Sequence, residues 1–183
     1  YEIKMAANTA VLTGTASATD PAGITTLASA FTLTTIQAGT APTYADAIRA
    51  ALAQLQSLNY NNNIVAFINP IDAANMDLSK SSDDGHYLLA PFVSNSGMLV
   101  SGVRVIVDNN IAVGNLLIGD LSKYKILMYQ DLSIRWGLDG DDFSHNMVTV
   151  IGEMRFHQLF GANDTGAFIY DSFADIVAAI TTT

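Results

Sequence analysis

Residues 147–160 carry the most regular alternation in the chain. Val148, Val150, Met154 and Phe156 share one parity, and Thr149, Glu153, Arg155 and His157 the other. A period of two with one apolar side predicts a strand covered on one face and wet on the other. The run KYKILMYQDLSIRW (123–136) reads as a second long strand, and GLDGDD between them as a turn. Together they predict an antiparallel hairpin.

The clearest helical period lies in PTYADAIRAALAQLQSLN (42–59). Ile48, Leu52 and Leu55 recur at i, i+4 and i+7 and form one stripe. Thr43 and Asp46 stand at capping-box spacing. The Asn59 to Asn63 region ends that helix. IVAFI (64–68) follows as a buried strand. Then Asn69 as N-cap, Pro70 at the first helical position and Asp72 in the first turn predict a short helix, closed by the Ser81–Gly85 loop. Further strands are expected at 103–108, after the turn at 109–114, and at 167–171. SFADIVAAI (172–180) fits a short helix or a strand. Residues 1–40 are rich in Ala, Thr and Gly, with a turn at Asp20-Pro21-Ala22-Gly23 and a possible strand at 31–36. Two early helices and a strand-rich second half make the class α+β.

Composition narrows the function. The chain has 183 residues, half of them apolar and only 14% charged, against about 25% in an ordinary soluble domain. Mean hydropathy is +0.29, yet no apolar run approaches the ~18 residues of a membrane helix. A chain so poor in charge is expected to cover part of its surface with other chains. Net charge is −9, with eight basic residues and no basic cluster. That argues against a phosphate-gripping nucleic-acid reader. With no Cys, disulfides and thiol chemistry are excluded.

Reactive constellations are sparse. His86, His145 and His157 lack ligand spacing, and no metal is expected. The acidic turns SSDDGHY and LDGDDF lack the order of an EF-hand loop. No nucleophile elbow, P-loop or dinucleotide fingerprint occurs, and Ser96 lies in a plain SNSG loop. Trp136 and the tyrosines show no stacking pattern, so core packing is their default role. No catalytic residue and no cofactor is expected.

The order of segments resembles the major capsid proteins of tailed bacteriophages, the Hong Kong 97-type fold shared with encapsulin shells. The resemblance is carried by Asn69-Pro70 after a strand and by Gly85-His86-Tyr87-Leu88. It continues through Gly102-Val103-Arg104-Val105, where the family has Pro in place of Arg104, and Gly119-Asp120 followed by Tyr124. Phe143 to Thr149, Ala167-Phe168 and the upstream AVLTGTASATDPAGI complete it. It implies a mixed-sheet axial domain with flanking helices and long antiparallel peripheral strands. Its boundaries would be 1–23 as a remnant after the spine helix, 24–118 axial, 119–160 the peripheral arm, and 161–183 the return to the axial domain. The N-terminal arm, extended loop and spine helix are expected to lie before residue 1. A start at Tyr1 suits a processed or trimmed product.

The implied function is a shell protein that self-assembles into pentamers and hexamers of a virion capsid, assembled in the bacterial cytoplasm. It would enclose DNA held only non-specifically, without membrane contact. The acidic balance would keep that DNA from adhering to the wall. Assembly candidates are Val148, Val150, Met154, Phe156, Leu127 and Tyr129. Without a spine helix their apolar face loses its cover, so the chain is expected to associate or to reposition its arm. One branch of the family cross-links subunits between Lys and Asn beside a Glu. Asn146 and Glu153 match that Asn and Glu, at an odd separation that puts them on opposite strand faces unless a bulge intervenes. Alternatives are an encapsulin-type compartment, a β-rich adhesin or carbohydrate-binding module, and a hydrolase.

Overall fold

The computed structural model describes residues 2–17, 21–80 and 98–181. The chain runs α1 (Glu2–Thr13), α2 (Ile24–Leu27), α3 (Tyr44–Ser57), β1 (Ile64–Ile68), α4 (Pro70–Asp77), β2 (Met98–Val100) and β3 (Val103–Val107). It continues through β4 (Asn115–Asp120), β5 (Tyr124–Gly137), β6 (Thr149–Phe160), β7 (Phe168–Ser172) and α5 (Phe173–Ile180). Five strands form a mixed sheet in the order β2-β3-β1-β4-β7, while β5 and β6 pair only with each other. Only β1–β3 is parallel within the sheet.

At β4 the sheet is buried on both faces. Leu116 and Ile118 of β4 join Ile48, Leu52 and Leu55 of α3 and Phe173 and Ile176 of α5 in one core. Leu117 points the other way, toward Leu12 of α1, Ile24 of α2, Ile111, Tyr124 and Phe168. Alternation along one strand therefore supplies two cores. Each large side chain removed from water contributes about 1.5–3 kcal/mol, and both cores depend on β4. The Tyr44 and Phe173 rings stack at 4.3 Å, locking α3 to α5.

The predicted caps form as expected. The Thr43 hydroxyl accepts from the Asp46 N–H, and the Asp46 carboxylate accepts from the Thr43 N–H at 2.8 Å. Asn69 does double duty. Its carbonyl oxygen accepts from Ile71 N–H, and its buried amide donates to the Ile111 carbonyl at 2.7 Å. Buried Asp72 accepts from Gly114 N–H at 2.7 Å. The Asn-Pro-Ile-Asp stretch thus starts α4 and clamps the turn entering β4.

Several expectations change. A helix, α1, occupies residues that composition alone left unassigned. Its mixed Ala, Thr and Asn content gives no strong stripe, and its packing on the second core and on β6 decides its state. Residues 31–36 form no strand. The N–H groups of Thr32 and Leu33 donate to Gln54 Oε1, and that of Phe31 to Asp171 Oδ2. Side chains of α3 and β7 take the place of a ladder. The 172–180 segment resolves as helix α5, with Ser172 as its N-cap accepting from Asp175 N–H. The Ser81–Gly85 loop, the Gly85–Leu88 motif, His86 and Ser96 lie outside the described residues.

Candidate assembly surface

The β5–β6 ribbon leaves the body at Asp120 and returns at Phe160. At about 3.3 Å per residue its strands reach roughly 40 Å. Their ladder runs from Tyr124–Phe160 to Gly137–Thr149, with irregularities between Met128 and Gln130 and between Gln130 and Ser133. Tyr129 stands out at the first of these, 83% exposed. Gln130 Nε2 donates to Ser133 Oγ across the second. Both expected strands are present, and their bulges keep two different faces in phase with the twist.

Residues opposite each other in the ladder share a face. One face carries Trp136–Val150, Ile134–Gly152, Met128–Phe156 and Ile126–Gln158. The other carries Arg135–Ile151, Ser133–Glu153, Gln130–Arg155, Leu127–His157 and Lys125–Leu159. The first face is the apolar side that the sequence predicts for β6. Helix α1 lies along its inner part, with Ala7 and Val11 near Met128, Met154 and Phe156. Ile3 lies over Gly152, where a Cβ would come within 2.2 Å of Ile3 Cδ1. Asn8 and Thr9 bond Asp108 and Asn110 at 2.8 Å, tying the same helix to the body.

Cover stops at Gly152. Val148 and Val150 remain exposed, Val150 by 64%, as do Ile134 and Trp136. Trp136, expected in the core, is 77% exposed. A strand edge pattern does not tell where a covering helix ends. Of the six candidates, Met154 and Phe156 are half-buried beneath α1 and Val148, Val150, Leu127 and Tyr129 are exposed. Leu127 faces away from α1, with His157. Ile134, Trp136, Leu138, Phe143, Met147, Ile151 and Leu159 are exposed on the same arm, beyond the positions that the alternation on β6 marks. Fourteen of the twenty-one exposed large hydrophobics among the described residues fall between Ile126 and Leu159. That concentration is far above the scattered apolar residues of an ordinary surface.

The hinge explains three motif elements at once. Gly119 pairs with Phe168, and a Cβ on Gly119 would sit 2.2 Å from the Phe168 ring. Phe168 in turn meets Tyr124 edge-on at 6.2 Å and Phe160 at 5.8 Å. Asp120 is fully buried. Its carboxylate accepts from the N–H groups of Ser122 at 3.0 Å and of Asn62 and Asn63 at 3.2 Å. Burial alone would raise its pKa, but hydrogen bonding by Ser122, Asn62 and Asn63 outweighs it and holds the carboxyl below its ordinary value. Burial pushes the Tyr124 hydroxyl up to about 12, with Gln158 opposing. Lys123 pairs with Asp164 at 3.4 Å, and the Tyr60 hydroxyl donates to the same carboxylate.

The tip is hydrogen-bonded too. Asp142 accepts from the Thr149 hydroxyl and from Asp139 N–H, and these bonds, Thr149 first, lower its pKa. Gly140 and Asn146 both adopt positive φ, 49° and 55°. Asn146 is exposed in this turn, whereas Glu153 is half-buried on β6, opposite Ser133. No hydrogen bond joins the two. No group of three or more potential metal ligands is found among the described residues. A cavity of about 810 Å³ at the arm base is lined mainly by Ala, Pro, Leu and Phe, with His157 as its one ionisable side chain.

A body with an ordered apolar arm beyond its own cores is the build of a subunit completed by neighbours. The phage capsid family model matches residues 1–157, and the chain belongs to the phage capsid family. Among solved structures it is similar to a chain of Microbacterium phage Oxtober96, at 19% identity and TM-score 0.66, covering 93% of this chain and 62% of that one. The capsid of the native GTA particle matches at 17% and 0.63, covering 92% and 61%. Mycobacterium phage Cain matches at 18% and 0.60, covering 93% and 60%. The fold is the Hong Kong 97-type capsid fold. The chain spans about 60% of the length of these solved chains. No curated protein matches it.

Proposed function

We propose that this chain is the shell-forming part of a major capsid protein that self-assembles into an icosahedral head enclosing DNA. The sheet body acts as the axial domain, gathered around five-fold and six-fold axes. The β5–β6 arm acts as the peripheral element that overlaps neighbouring subunits. The observation that carries this reading is the arm itself. An isolated two-stranded ribbon is marginal in water, and this one exposes Trp136, Val148, Val150 and Ile134 beyond the end of α1. Burying those side chains in a neighbour contributes about 1.5–3 kcal/mol each. No chemistry is required of the subunit, and a structural, non-enzymatic role in the virion fits the family. A phage-type head is favoured over an encapsulin compartment by the family match and by the phage and GTA neighbours.

The test is expression of the full-length product followed by electron microscopy and light scattering. Closed shells of uniform diameter are expected. A strict monomer with an ordered, exposed arm at high concentration overturns the proposal. Particles packed with an enzyme rather than nucleic acid support the compartment instead.

A further inference from the structure

The second face of the arm differs in kind from the first. It places Lys125, Arg135, Arg155 and His157 on one side of the ribbon, with Glu153 as its acid. Three of the chain's eight basic residues thus share one narrow face in a molecule of net charge −9. All three are exposed, and none of them forms an ion pair among the described residues, where the ion pair found is Lys123–Asp164. Leu127, Ile151 and Leu159 are interleaved with them and are each about half exposed. Along β6, Ile151 and Arg155 lie four residues apart, so Arg135 and Arg155 are separated by roughly 13 Å.

The arm tip is the complement of that face. Asp139 and Asp141 are exposed there. Asp142 is held by Thr149 and Asp139 N–H, so it shapes the tip rather than offering a free carboxylate. Leu138, Phe143 and Met147 stand around the acids, Phe143 almost bare. Each surface therefore carries exposed apolar side chains with charges of opposite sign. Among the described residues Asp139 and Asp141 make no ion pair with Arg135 or Arg155 of their own chain.

We infer that the tip of one copy docks on the second face of a neighbour's arm, Asp139 and Asp141 meeting Arg135 and Arg155 around Ile151. The contact is heterologous, tip to flank. It propagates from copy to copy and closes into a ring when the rotation permits. Duplex DNA is the poorer occupant. The face alternates its cations with Leu and Ile and includes Glu153, and the whole chain repels phosphate. This inference rests on the shell reading above and assigns to one contact its residues and its salt dependence.

The test uses the full-length chain in three charge variants: R135E/R155E, D139K/D141K and the four combined. All four substituted residues sit on exposed positions, and thermal melting of each variant checks the fold. Sedimentation velocity then measures association across protein concentrations at low and high salt. Each double reversal is expected to raise the concentration for half-association at least about tenfold, and the combined variant to restore it. Wild-type association is expected to weaken as salt screens the contact. Equal association of all four chains overturns the inference and leaves the shell reading intact, as does failure of the combined variant to recover. Unchanged association with lost retention of duplex DNA by R135E/R155E assigns the face to nucleic acid and also overturns it. A wild-type chain that never associates overturns both.

Discussion

Asp120 holds the place where the arm leaves the body, and its removal has a size that the structure sets. In Asp120→Ala the N–H groups of Asn62, Asn63 and Ser122 lose their acceptor. An unsatisfied buried donor costs about 1–3 kcal/mol. The 61–63 loop is exposed, so water recovers much of that, and a net loss of about 2–4 kcal/mol is expected. Asp120→Asn is milder. Its oxygen still accepts from Asn63 and Ser122, while its amide faces the Asn62 donor, for a loss of about 1–2 kcal/mol. For a domain of this size each kcal/mol lowers Tm by about 2–4 °C, so the alanine variant should melt roughly 5–15 °C lower. Acid titration separates charge from shape. The folded pKa lies below the ordinary carboxylate value of 3.8. The stability that ionised Asp120 supplies is therefore present above the unfolded pKa and lost as pH falls through the folded one. Melting of wild type and Asp120→Asn is compared from pH 8 down to pH 3. The gap should stay flat through neutral pH and narrow below about pH 4. No gap at pH 7, or one undiminished at the acid end, refutes the clasp.

Other outcomes follow from the same geometry. Gly23→Ala puts a Cβ 2.3 Å from Gly14 N and 2.7 Å from the Leu12 carbonyl oxygen, both backbone. It should force α1 away from its seat at a cost of about 1–3 kcal/mol. Hydrogen exchange is expected to rise along Glu2–Thr13, and unchanged protection there would count against the packing described. Burial raises the Tyr124 pKa to about 12, so the stability it supplies is complete below the unfolded tyrosine pKa and lost as pH rises through about 12. Alkaline difference absorbance should show one tyrosine ionising last, and Tyr124→Phe should remove that phase. A titration curve identical in the variant assigns the late phase elsewhere.

Much of this molecule is legible without coordinates. The helix over Tyr44–Ser57 announces itself through Ile48, Leu52 and Leu55 and the Thr43–Asp46 box, because a 3.6 period and a cap are properties of neighbouring residues. The arm strands do so through period two. Residues 2–13 and 31–36 do not, because their states are settled by partners far along the chain: Phe156 and Asp108 for the helix, Gln54 and Asp171 for the irregular segment. The exposed apolar surface of the arm is half legible. Alternation marks an apolar side on β6, and with it Val148, Val150, Met154 and Phe156. It does not say that α1 covers Met154 and Phe156 and stops at Gly152, or that Trp136 lies bare beside Val150.

Sequence by itself determined the α+β class, the hairpin and its apolar side, the scarcity of charge, and the absence of thiols, because each follows from local pattern or from composition. Tertiary structure alone decided that Gly119, Asp120, Tyr124 and Phe168 form one hinge, and that Arg135, Arg155 and Lys125 share a face opposite Trp136. Those relations depend on ladder register and two bulges. A shift of one residue between strands exchanges every side chain between faces, and no run of residues along a single strand records its partner's register.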